Sequence, residues 1–67
     1  MTNAQQNLDS ARLISRKDAA VLVGLSERTI DRKTRAGEFP QRFIIGRSIF
    51  FRFAEVLAWI EERRVIA

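Results

Sequence analysis

Two segments that each open on a serine and close on a glycine stand almost back to back, Ser15 to Gly24 and Ser26 to Gly37, with Leu25 alone between them. A serine hydroxyl accepts from the amides of a helix's first turn, and a glycine takes the left-handed conformation that closes its last, so the pattern predicts two short helices. The first covers about Arg16 to Val23. Asp18 follows Ser15 by three in a variant of the capping box, and Ala19, Ala20, Leu22 and Val23 form its apolar stripe. The second lies within Ser26–Gly37 and carries Glu27 in its first turn, where the helix dipole favours an acid. Ile30 is its one large apolar residue, so Ile30 and the stem of Lys33 must hold it, while Arg28, Thr29, Asp31, Arg32, Lys33 and Arg35 cover the rest. So narrow a stripe leaves most of that helix's surface for something other than the chain's own core.

After Phe39-Pro40 the pattern changes to that of strands: Arg42-Phe43-Ile44-Ile45, a break at Gly46-Arg47, then Ser48-Ile49-Phe50-Phe51-Arg52. A two-residue Gly46-Arg47 loop would set Ile44 opposite Ile49; a three-residue loop through Ser48 would set Ile45 opposite Ile49 and Phe43 opposite Phe51. The longer loop is preferred, because it collects Phe43, Ile45, Ile49 and Phe51 on a core face. It leaves Ile44 and Phe50 together on the other, an apolar face that is either covered by another segment or suited to self-association or a protein partner. From Phe53 to Ala67 helical spacing returns through Phe53, Val56, Leu57, Trp59 and Ile60. Phe53 and Ala54 stand where a cap is expected, so packing must start this helix, and Trp59 reads as a core anchor rather than a stacking platform. Residues 1–11 are polar and aperiodic and are read as a flexible arm ahead of one domain over residues 12–67.

Sixty-seven residues leave room for one minimal domain. With no Cys and no His, the chain lacks a zinc staple, a disulfide, a thiol nucleophile and an imidazole base. It therefore reads as a binding module rather than an enzyme, with no metal, cofactor or small-molecule substrate. Its longest apolar runs, Ala19 to Val23 and Val56 to Ile60, fall far below the roughly 20 residues of a membrane span, and the opening residues lack a signal peptide's basic start and apolar stretch, so a cytoplasmic protein is expected. Positive charge is concentrated: residues 12–52 carry ten basic and four acidic side chains, against a single acid in 1–11 and two basic and three acidic in 53–67. A local basic patch is the footprint of a polyanion binder, and Arg, here outnumbering Lys ten to two, suits bidentate phosphate and base contacts. Two short helices joined by three residues match the helix-turn-helix arrangement, whose second helix can be presented to a major groove, a spacing that any helical hairpin shares.

Helix-turn-helix, Gly37 with Phe39-Pro40, a two-stranded wing through Gly46-Arg47-Ser48 and Phe51-Arg52, and a helix with Glu55-Val56 and Trp59-Ile60 together resemble the AlpA and excisionase-like family, small phage and prophage DNA-binding proteins. The likeness runs from about Leu13 to Arg64. It implies a mostly α fold with a small β-hairpin, a winged helix-turn-helix of order α-α-β-β-α, and double-stranded DNA as partner in a bacterial or phage-infected cell, at the nucleoid. The chain departs from the family in Lys33-Thr34, where an apolar pair is usual, in a single wing glycine, and in Ile44 and Phe50, where polar residues are usual.

On that fold Arg28 and Arg32, one turn apart with Thr29 beside them, are the candidates for reading bases, since arginine pairs its donors with guanine O6 and N7. Arg16, Lys17, Ser26, Lys33, Arg35, Arg42 and Arg52 are candidates for phosphates, and Arg47 at the wing tip for a phosphate or the adjoining minor groove. The alternative use of Arg28 is an ion pair with Glu27 or Asp31; Asp31 either accepts from a cytosine amino group or restrains Arg28 or Arg35. The function expected is sequence-specific regulation of transcription. The alternatives are an excisionase that bends DNA for an integrase, and an adaptor that binds protein through Ile44 and Phe50.

Overall fold

Ser15 and Ser26 both cap. In the computed structural model, which describes residues 11–66, the Asp18 amide donates to Ser15 Oγ at 3.0 Å and the Thr29 amide to Ser26 Oγ at 3.1 Å. Helix α1 spans Arg16–Val23 and α2 spans Glu27–Arg35. Each is followed by a glycine at φ +75°. The amides of Gly24 and Leu25 turn back to the carbonyls of Val21 and Ala20 (3.2 and 3.0 Å), and those of Gly37 and Glu38 to Thr34 and Lys33 (3.1 and 2.8 Å). This double return satisfies the last carbonyls of each helix and requires a left-handed residue, which is why glycine stands there.

A strand precedes α1 that the sequence pattern does not reveal. Strands β1 (Leu13–Ser15), β2 (Phe43–Ile45) and β3 (Ser48–Arg52) form one antiparallel sheet in the order β1-β3-β2, so the wing hairpin is extended on its far side. Three residues are too few for an alternating pattern to show. Ile14 pairs with Phe51, and both are buried.

The hairpin register corrects the sequence expectation. Ile45 pairs with Ser48, Ile44 with Ile49 and Phe43 with Phe50, so the loop is the two-residue Gly46-Arg47 and not the three-residue one. The reason lies in the turn. Gly46 has φ +62° and no non-glycine described residue has positive φ, the pattern of a type II′ turn with glycine first, whose twist matches the strands it joins. This turn preference overrides the count of apolar residues per face. Ile44, Ile49, Phe51 and Ile14 share the core face, and Phe43, Ile45 and Phe50 share the other; Ile44 (63% exposed) and Ile45 (55%) both lie beyond the core's reach. Ile44 and Phe50 are therefore on opposite faces, and the common apolar face expected of them does not form.

Helix α3 spans Phe53–Glu62, shorter than the spacing suggests, and residues 63–66 lie outside it. As expected, no side chain caps it; instead the Phe53 amide donates to the Arg12 carbonyl at 2.8 Å, so the chain leading into β1 satisfies its first donor. The core is Ile14, Ala19, Ala20, Ile30, Phe39, Phe51 and Val56, with Val23, Leu25, Ile49, Phe53, Trp59 and Ile60 packed around it. Phe39 meets the rings of Phe51 and Trp59 edge-on at 5.1 and 4.8 Å. Trp59 also donates from Nε1 to the Glu38 carbonyl at 2.8 Å, tying α3 to the turn after α2. Leu22 and Leu57, expected inside, are exposed. The expected arm, residues 1–11, lies outside the described residues except for Ala11.

Candidate nucleic-acid interface

Helix α2 is seated by two side chains. Ile30 is fully buried, and one turn on Thr34, also buried, satisfies its hydroxyl by donating to the Ile30 carbonyl at 2.8 Å. Thr34, rather than the stem of Lys33, is the second anchor; Lys33 is half-buried on the flank. With 3.6 residues per turn, positions 28, 32 and 35 fall on the side away from 30 and 34. Arg28, Arg32 and Arg35 are all exposed there, and with Asp31 they line one shallow concavity.

The acids on α2 pair elsewhere than expected. Arg16 Nε donates to Glu27 Oε1 at 3.1 Å, and its Nη1 donates to Asp31 Oδ2 and Oδ1 at 3.0 and 3.3 Å. Among the described residues these are the ion pairs of Glu27 and Asp31, so neither is spent on Arg28. Asp31 above all, through its charge and hydrogen bond, and Glu27 to a lesser degree hold the Arg16 guanidinium still further into its charged form than usual. Arg16, expected on a phosphate, is thus engaged within the protein. The spacing of Glu27 and Asp31, one turn apart on one helix face, was the signal for a shared cation.

Arg52 is likewise engaged: its Nη1 donates to the Ala11 carbonyl at 2.8 Å and its guanidinium lies 5.0 Å from the Phe43 ring centre. Ser26 donates its hydroxyl proton to Thr29 Oγ1 at 2.9 Å while accepting from the Thr29 amide, and Thr29 is half-buried. Both side chains serve the helix start. Lys17, Arg42 and Arg47 are exposed. The wing returns to the helices: Arg47 and Ser48 line a second concavity with Ser15, Arg16, Lys17 and Glu27, where the wing tip meets the starts of α1 and α2. Two hollows therefore flank α2, one along its length lined by Arg28, Asp31, Arg32 and Arg35, the other at its start with Arg16, Lys17, Glu27 and Arg47 among its lining.

A helix followed by a three-residue turn, a second helix seated by two residues with arginines on its outer side, and a hairpin brought back to the helix starts together define a winged helix-turn-helix. The family model for the helix-turn-helix domain matches residues 13–64, nearly all of the described chain. The chain belongs to the helix-turn-helix domain family. That family consists of DNA-binding domains and takes in the AlpA and excisionase-like small proteins, so the resemblance in the motifs holds, and DNA is the partner class the domain brings. No curated protein and no solved structure matches the chain. No helix among the described residues is long and apolar enough to cross a membrane.

Proposed function

We propose that the protein is a sequence-specific DNA-binding regulator of transcription of the phage or prophage type, acting at the nucleoid, with α2 in the major groove and the wing on the flanking backbone or minor groove. One observation carries this reading: Arg28, Arg32 and Arg35 stand exposed on the side of α2 away from Ile30 and Thr34, with no acid of that helix spent on them. Arg28 and Arg32 read guanines, each good bidentate contact contributing about 1–3 kcal/mol of discrimination, with Thr29 beside them. Lys17, Lys33, Arg35, Arg42 and Arg47 take phosphates, and the Ser26 turn offers helix-start amides. Five such cations set a slope of log K against log salt of about −4.5. A domain this small makes a short footprint, so tight binding needs tandem sites, cooperative neighbours or a dimer.

The test is selection from a library of short genomic duplexes at two salt concentrations, wild type beside Arg32→Ala. A common motif that the substitution relaxes supports sequence reading by α2. Salt-labile binding without a motif overturns it in favour of a generic coating protein, and no binding overturns DNA as the target. On the selected site, a strong bend in a permutation assay would assign an excisionase's role in place of a regulator's.

A further inference from the structure

Each of the two cationic hollows beside α2 contains a carboxylate. Asp31 sits with Arg28, Arg32 and Arg35, and Glu27 sits with Arg16, Lys17 and Arg47. A carboxylate in either hollow opposes a phosphate entering it. Both carboxylates are held by one guanidinium, that of Arg16, which reaches Glu27 and Asp31 from the start of α1. We propose that Arg16 is the positioning residue of the DNA-binding surface: it holds Glu27 and Asp31 against α1 and thereby leaves the cations of both hollows to the phosphates and bases, without itself contacting DNA. This inference rests on the DNA-binding reading above.

Glu27 and Asp31 are one turn apart on α2, so without a shared cation they repel each other. They then take other partners, and the competitor best placed by sequence is Arg35, four residues after Asp31 with the acid on the N-terminal side, the orientation that helices favour. An Asp31–Arg35 pair would withdraw a cation from the phosphate-facing surface. Arginine is suited to the task because its planar fork serves two acceptors with separate nitrogens, Nε for Glu27 and Nη1 for Asp31.

A double-mutant cycle between Arg16→Gln and Asp31→Asn tests the proposal, read as the dissociation constant of a selected duplex for variants whose circular dichroism and thermal melt show them folded. Arg16→Gln weakens binding by about tenfold, Asp31→Asn alone changes it by less than about twofold, and Asp31→Asn recovers most of the loss in the Arg16→Gln background. Should Arg16→Gln fail to fold, Arg16→Lys replaces it in the same cycle, since lysine keeps the charge but lacks the fork. An additive cycle, in which Asp31→Asn helps both backgrounds equally, overturns the proposal. So does an unrescued loss with the salt slope reduced by about 0.9, which makes Arg16 a phosphate contact. Absence of wild-type binding overturns the DNA-binding reading itself, a result distinct from either.

Discussion

Helices α2 and α3 are nearly equal in length, nine and ten residues, and are held in opposite ways. Helix α2 is secured at both ends, by Ser26 at the start and the Gly37 turn at the finish, and from the side only through Ile30 and Thr34. Helix α3 has no side-chain cap and is secured along its side, with Val56 buried and Phe53, Trp59 and Ile60 packed on the core. A helix secured at its ends has most of its circumference left over, and on α2 that surplus carries the arginines. A helix secured along its side has spent its surface on the fold. The division of labour is thus visible before any ligand is considered: α3 and the sheet build the core, and α2 is mounted on it chiefly through α1, with Ile30 reaching in.

The comparison breaks first at Ile30. If this residue is the main lateral anchor of α2, Ile30→Ala costs on the order of 2–5 kcal/mol, a large share of the stability of so short a chain, and lowers the urea midpoint accordingly. A loss below about 1 kcal/mol would mean that the ends alone hold α2. The next test is at an end. Ser26→Ala removes the acceptor of the Thr29 amide and the donor to Thr29 Oγ1, so a loss of about 1 kcal/mol is expected. In a domain of this size that lowers the melting temperature by roughly 4–8 °C.

The same contrast explains what was legible in the sequence. The ends of α1 and α2 were readable because local chemistry makes them: a serine hydroxyl three residues before an amide, a glycine where φ turns positive. The arginine face of α2 was readable for the complementary reason, that too few apolar residues stood there to fill a helix surface. Features that depend on a distant partner were not. Strand β1 exists because Ile14 finds Phe51, and the start of α3 because the Phe53 amide finds the Arg12 carbonyl. Apolar faces favour the longer wing loop, whereas the glycine-first turn decides the register. The partners that Arg16 and Arg52 find within the protein, Asp31, Glu27, Phe43 and the Ala11 carbonyl, are likewise brought to them by the fold and have no local signature around either arginine.

The smallest expected effect is also the sharpest test of how α3 is held. Arg52 occupies its N-cap position with φ −76° and ψ 123°, a backbone that suits a capping serine, so Arg52→Ser supplies the cap that α3 lacks. Taken alone, a new cap contributes about 1 kcal/mol. The substitution also removes the donation to the Ala11 carbonyl and the contact of the guanidinium with the Phe43 ring, each of which contributes about 0.5–1 kcal/mol at an exposed site. The two losses together, about 1–2 kcal/mol, equal or slightly exceed the gain, so the melting temperature stays unchanged or falls by up to roughly 4–8 °C. A clear stabilisation of about 1 kcal/mol or more would show that Arg52 grips neither partner in solution. The side of α3 would then be doing all the holding, and Arg52 would return to the set of cations that the wing can offer to DNA.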